Sequence, residues 1–375
     1  MLLYIHIPFC RRKCHYCAFS SQVHVPEMEK LFLKSLKTEL RIRADQFRGD
    51  EIGSFYLGGG TPTLISPSTL GEIIELAEAN FSFAPDLEMT IEANPETIED
   101  PEGLKALKAL GINRLSLGVQ SLDDQTLFKL GRGHTSAQAL RAAQGVLQAG
   151  IDNLSVDLIW GLPGQTVQNW LEDLKAVVRL SPRHVSCYGL TLEPGTVMAR
   201  QVEAGAAVLP DEVQQSRMYI LGAEFLESEG FLQYEVSNFS RMGYACRHNT
   251  GYWEGEPFLG LGPSAVSSVH GMRWMNPPMV RDYARLSRNR FQGVDREEVK
   301  GQALINERIM LALRTSRGLK LSDYRGLTGH DFCSRFNPLI RMLRKNHLVR
   351  LANGYLRLTK NGMLVSNSII ERFIN

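Results

Sequence analysis

No stretch of this 375-residue chain is long and apolar enough to cross a bilayer. The apolar segment near its start, Leu2–Phe9, is too short for a span and lacks the basic flank of a signal peptide. Excess charge is missing as well: 42 Lys and Arg stand against 40 Asp and Glu, a formal net charge of +2. With no long basic block, sequence-independent nucleic-acid binding is not expected. Cysteine is scarce, six residues in all, too few for a disulfide framework in a chain of this length. A reducing compartment, the cytoplasm, is therefore the expected location. Internal repeats and low-complexity tracts are absent too.

Half of the cysteines crowd into one place. Cys10, Cys14 and Cys17 form C-R-R-K-C-H-Y-C directly after the first apolar run. Three closely spaced thiolates on one loop can hold three irons of a 4Fe–4S cluster. The fourth iron finds no ligand in the run, because Ala18 and Phe19 follow. An open metal site can bind and activate a small molecule. The alternatives are a structural zinc site or a disulfide. Zinc asks for a fourth ligand, and the adjacent His15 points the wrong way for tetrahedral closure. Arg11, Arg12 and Lys13, inside the loop, read as solvated cations.

The first half alternates strands and helices. Expected strands are Leu3–Pro8, Ser54–Leu57, Glu88–Glu92, Arg114–Val119, Asn153–Ile159 and His184–Leu190. Helical periodicity fills Glu27–Phe47, Ser68–Asn80, Pro101–Leu110, Ala137–Ala149 and Val167–Leu180. Strands rich in Ile, Leu and Val, separated by helices, make a parallel sheet covered by helices. Repeated right-handed crossovers curl it into a partial (β/α)6 barrel of the α/β class. Three units are expected: the barrel at 1–230, a loop-rich connecting segment at 231–299, and a helical module at 300–375. That module ends in two short strands joined by Asn353-Gly354, a hairpin signal, and so resembles a winged helix. Its helix around Arg335–Lys345 is only mildly basic, which favours a docking domain or lid over a DNA reader.

Polar motifs sit at the carboxyl ends of the expected strands, where barrel loops converge. Gly58-Gly59-Gly60-Thr61-Pro62-Thr63 follows the second strand and is read as a loop offering amides to an anionic group; a plain tight turn is the alternative. Glu92 closes the third strand, Gln120 the fourth, and Asp157 lies near the end of the fifth. Each is costly to bury alone, so three at equivalent positions point to a shared polar ligand. Arg132 can pair a carboxylate or stay in solvent, and Tyr4 can belong to the core.

A second distinctive run is Cys246-Arg247-His248-Asn249-Thr250-Gly251-Tyr252-Trp253. Histidine is the commonest axial ligand of heme iron, and the aromatics offer a porphyrin a flat wall. A lone histidine beside Tyr and Trp is more often a hydrogen-bonded core residue than a ligand. Cys246 is read as a free buried thiol, and Cys187 and Cys333 as packing residues.

Taken together, Y-I-H-I-P-F-C-x3-C-x2-C, G-G-G-T-P-T, I-E-A-N-P, G-V-Q-S and V-D-L-I-W-G-L-P-G-Q-T resemble the coproporphyrinogen-dehydrogenase-like radical S-adenosylmethionine (SAM) proteins. The H-N-x-x-Y-W run from His248 to Trp253 is similar to that of the heme chaperones in this family. The resemblance implies a radical SAM barrel with one 4Fe–4S cluster on Cys10, Cys14 and Cys17 and an exchangeable SAM. It implies Tyr4, Gly59, Gly60, Thr61, Glu92, Gln120, Arg132 and Asp157 around SAM, and His248 as heme contact. It also implies transfer of heme to an acceptor protein, with an electron donor as a further partner. The alternative is an oxygen-independent coproporphyrinogen III dehydrogenase, which decarboxylates its substrate to protoporphyrinogen IX. Those enzymes carry a longer N-terminal extension and a fourth cysteine after the run, where this chain has Ala18-Phe19.

Overall fold

A computed structural model describes residues 1–47 and 49–374. Six parallel strands run side by side in chain order: Leu2–Ile7, Glu51–Gly59, Ser82–Ala93, Arg114–Gln120, Asn153–Trp160 and His184–Gly189. These are the six strands expected from the pattern, with ends shifted by a few residues. Their outward side chains are apolar and bury against the covering helices. Leu3, Ile5, Phe55, Leu57, Leu115 and Leu117 are all fully enclosed. At about 0.8 kcal/mol per buried methylene, this apolar shell dominates the barrel's stability.

The helices begin where short polar side chains can cap them. Ser66, Asp100, Thr135 and Thr166 each accept a hydrogen bond from a first-turn amide, and the two threonines complete capping boxes. Asp123 caps a further short helix, Asp124–Lys129, that the apolar period does not reveal.

Residues 231–299 differ from expectation. They are more than a loop-rich connector: six short strands among them extend the main sheet, which reaches twelve strands. Phe258–Leu261 pairs in parallel with the first strand, and Val266–Val269, Met272–Met275 and Val294–Glu298 follow antiparallel. At the opposite edge, Asn238–Ser240 and Leu232–Gln233 add antiparallel to the sixth barrel strand. The two edges are different strands that do not pair, so the barrel is partial. The strands are short and broken by turns at Gly262, Gly271 and Gly293, all at positive φ, which masks their period of two. Glu39, fully buried on helix Pro26–Gln46, ties this region down. It accepts from Gly262 N at 2.9 Å, Asn276 Nδ2 at 2.8 Å and Tyr283 OH at 2.7 Å.

From Gly301 the chain forms a separate helical unit with its own core. Its hairpin, Val349–Ala352 with Tyr355–Leu358, turns through Asn353 and Gly354, both at positive φ, as a two-residue turn requires. Leu319–Lys320 adds a third strand, giving the winged-helix arrangement. No helix among the described residues is long and apolar enough to cross a membrane.

Candidate functional site

The loop carrying the three cysteines lies across the carboxyl ends of the barrel strands, beside a cavity of about 620 Å³. Backbone bonds hold it there: His15 N donates to Leu130 O at 2.9 Å and Cys17 N to Cys14 O at 3.2 Å. His15 Nδ1 donates to the Lys129 carbonyl at 2.8 Å, which helps anchor the loop. Gly131 makes that fit possible. Its φ is +71°, and a Cβ there would stand 3.0 Å from the His15 ring.

The structure brings Cys10, Cys14, Cys17, Gly59, Gly60, Thr61, Glu92, Gln120, Arg132 and Asp157 to this one cavity. Two thiols already face donors: Thr61 Oγ1 is 3.7 Å from Cys10 Sγ, and Arg132 Nη1 is 3.6 Å from Cys14 Sγ. Arg132 also donates to Asn94 Oδ1 at 2.7 Å, and its Nε is buried without a partner. Among the described residues no three His, Cys, Asp or Glu side chains converge on one metal ion. A cluster does not need such convergence, because each thiolate binds its own iron. The donors at Cys10 and Cys14, and the uncommitted Arg132 Nε, suit a thiolate-held cluster with a polar ligand beside it.

The glycine loop works differently from expectation. Its amides are already used: Gly59 N donates to Glu92 Oε2 at 3.0 Å, Gly60 N to Ile7 O and Thr61 N to Phe9 O, both at 2.8 Å. The glycines serve close packing. A Cβ on Gly60 would sit 2.5 Å from the Phe9 carbonyl oxygen.

The acidic residues at the strand ends are set by neighbouring strands. Asp157 accepts from Ser116 Oγ at 2.9 Å, Ser155 Oγ at 3.2 Å and Ser186 Oγ at 2.6 Å, and burial still pushes its carboxyl up. Glu92 accepts from Tyr56 OH at 2.8 Å, and burial raises its pKa to about 7. Gln120 sits at a bulge with φ +70°, a strained position for a non-glycine residue, and its amide faces the cavity.

Tyr4 and His248 lie elsewhere. Both line a deeper chamber of about 300 Å³ inside the barrel. Tyr4 OH is 3.1 Å from His6 Nδ1. His248 is 2 % exposed, with Nδ1 2.8 Å from Ser54 Oγ and Nε2 3.1 Å from Tyr252 OH. Burial lowers its pKa to about 3, so it is neutral. Both ring nitrogens are engaged, which is the arrangement of a hydrogen-bonded core histidine and leaves no open nitrogen for heme iron. Cys246 is a buried free thiol, its pKa pushed up to about 12, and it caps helix Arg247–Glu254. Cys187 is buried on its strand and Cys333 packs on the C-terminal core.

Sequence reasoning passed over Asn94 and the three serines around Asp157. Asn94 donates to Thr61 Oγ1 at 2.9 Å and accepts from Arg132, joining two expected site residues. Its signal was an N-P step at a strand end. The serines were visible only as single small polar residues within apolar strands.

The description Radical SAM superfamily matches residues 4–177, and HemN C-terminal domain matches residues 299–365. A Bacillus subtilis protein named heme chaperone HemW is 32 % identical over 373 residues, covering 99 % of this chain and 98 % of that one. A Haemophilus influenzae protein of the same name is 31 % identical over 382 residues, covering 99 % and 97 %. The solved structure of the radical SAM enzyme coproporphyrinogen III oxidase (HemN) from Escherichia coli superposes with a TM-score of 0.85 at 25 % identity, covering 100 % of this chain and 90 % of that one. The cysteine loop at the barrel mouth, the helical C-terminal module and this end-to-end likeness together show that the chain belongs to the HemW family of radical SAM proteins.

Proposed function

We propose that this chain is a heme chaperone, which binds heme and hands it to an acceptor protein. The observation that carries the reading is the end-to-end likeness to proteins named heme chaperone. In this reading Cys10, Cys14 and Cys17 hold a 4Fe–4S cluster. Gly59, Gly60, Thr61, Glu92, Gln120, Arg132 and Asp157 surround an exchangeable SAM, with Tyr4 behind Glu92. Once bound, the cluster supplies an electron to the SAM sulfonium. Arg132 and Thr61 place a positive charge beside Cys14 and a hydroxyl beside Cys10. An electron donor and a heme acceptor are the protein partners the reading calls for, and the cytoplasm is its setting.

For heme itself, support comes from a cleft of about 770 Å³ between helix Arg247–Glu254 and the C-terminal module. Trp253, Ile309, Tyr324 and Leu327 give it apolar walls, while Arg308, Arg317 and Lys320 bring cations suited to propionates. Arg317 and Lys320 now pair with Glu254 at 2.9 Å and Asp323 at 3.1 Å, partners a propionate could replace. In this arrangement the H-N-x-x-Y-W helix contributes Trp253 to heme, and His248 holds the helix onto the barrel.

The test is an anaerobic heme titration of the reconstituted protein, read at the Soret band. Saturation near one heme per chain is expected. Trp253→Ala should weaken it about tenfold, the loss of one aromatic contact. His248→Ala should leave the Soret maximum in place. Absence of saturable binding rejects the chaperone reading. The whole-chain likeness to E. coli HemN favours a second reading, oxidative decarboxylation of coproporphyrinogen III. Protoporphyrinogen IX formed from coproporphyrinogen III, SAM and a reductant would support it.

A further inference from the structure

The most anomalous group in the molecule is Arg114. It opens the fourth barrel strand, is 2 % exposed, and faces the inner chamber of about 300 Å³. Among the described residues its side chain makes no hydrogen bond and no ion pair, and its Nε is buried without a partner. A guanidinium is permanently charged, and a buried charge is costly unless it is paired.

The acids nearby are committed to other groups. Glu88 accepts from Arg247 N at 3.0 Å and His248 N at 3.1 Å, capping the following helix. Glu92 is held by Tyr56 and Gly59, and Asp157 by three serines. The two chamber histidines are neutral: His184 shares Nδ1 with Ser155 Oγ and Nε2 with Tyr234 OH, and His248 is engaged as described. No carboxylate contacts the Arg114 fork, although Glu88 acts on it through space and favours its charge; the rest of the wall is hydroxyls, two amides, two imidazoles, the Cys246 thiol and the Glu92 carboxyl.

We propose that this chamber is a binding site for a small organic carboxylate, with Arg114 as its anchor. A guanidinium fork matches a carboxylate in two parallel hydrogen bonds. One negative charge neutralises Arg114. A phosphate dianion would bring surplus negative charge beside Glu92, which also lines the chamber. The volume lies at the small end of ligand pockets, ~300–1,000 Å³. Tyr56, Glu92, Ser116 and Tyr188 line both this chamber and the mouth cavity, so the far end of the ligand points toward the cofactor site. The site is distinct from the heme cleft and does not rest on the heme reading.

The experiment is calorimetric titration of the reconstituted full chain with the monocarboxylates sodium propionate and sodium butyrate. Sodium phosphate and sodium chloride are the controls, and melting temperatures are recorded for wild type, Arg114→Met and Arg114→Lys. Wild type should bind a monocarboxylate saturably and melt higher in its presence. Arg114→Met should lose at least about tenfold in affinity, one charged contact's worth. Without ligand it should melt within a few degrees of wild type, since no hydrogen bond or ion pair of the Arg114 side chain is lost. Arg114→Lys, which keeps the charge and loses the fork, should bind with intermediate affinity. Three results would overturn the proposal: no carboxylate binding by wild type, binding of phosphate alone, or undiminished binding by Arg114→Met. A ligand-free Arg114→Met that melts well below wild type would make Arg114 a structural residue. Should that variant fail to fold, equal carboxylate affinity of Arg114→Lys and wild type would reject the anchor role.

Discussion

The barrel interior and the C-terminal module solve opposite problems. Inside the barrel stand Arg114, His184 and His248, fully buried, and Glu92 and Asp157, half-buried, with hydroxyls between them. The module's core is almost wholly apolar. Phe332 packs at ring-centroid distances of 4.8 Å from Tyr324, 4.7 Å from Phe336 and 5.1 Å from Phe373. Among the module's described residues, Ser366 is the one buried polar side chain. Apolar burial contributes stability per unit area, whereas a buried charge costs stability unless partners compensate. The barrel can carry its polar interior because the apolar shell outside the strands supplies the stability. The module has no such interior.

The largest effect belongs to the barrel mouth. Cys14→Ala should abolish the iron–sulfur charge-transfer absorption after anaerobic reconstitution, and retained absorption would reject the cluster assignment. In the module, Phe332→Ala removes a fully buried ring and should cost about 3–5 kcal/mol in denaturant unfolding. A cost below about 1 kcal/mol would mean that the ring cluster contributes little, against the contrast drawn here.

Glu92 should show the opposite sign. Its folded pKa, about 7, lies above the usual 4.5, so the folded state binds its proton more tightly than the unfolded one. Its contribution is therefore most favourable below pH 4.5 and is lost as pH rises toward 7. Glu92→Gln should stabilise the cofactor-free protein above pH 7 by up to about 3 kcal/mol. The gain should vanish as pH falls toward 4.5, and a pH-independent difference would show that Glu92 is not the titrating group. His248 works the other way. Its folded pKa is depressed to about 3, so the stability it contributes is lost as pH falls below about 6.5. In Glu92→Gln, the acid-side loss should accordingly be steeper than in wild type. The smallest effect is at the hairpin. Asn353→Ala places a less tolerant residue at φ +53° and should cost about 1 kcal/mol, with heme binding unchanged.

The cysteine spacing, the alternating strands and helices, and the polar strand ends were all legible in the sequence. Each is a local signal: ligand spacing along one loop, a period of two or 3.6, a charge where the neighbours are apolar. The sequence by itself thus determined the parallel barrel, its mouth and most of the residues gathered there. Tertiary structure alone decided three things. It turned 231–299 into sheet, because a strand of a few residues becomes visible only when a neighbour pairs with it. It placed His248 between Ser54 and Tyr252, closing both nitrogens, because the partners of a buried histidine come from elsewhere in the chain. And it left Arg114 without a partner inside the barrel: whether an arginine is paired depends on which carboxylates folding brings within reach, and no spacing along the chain records that.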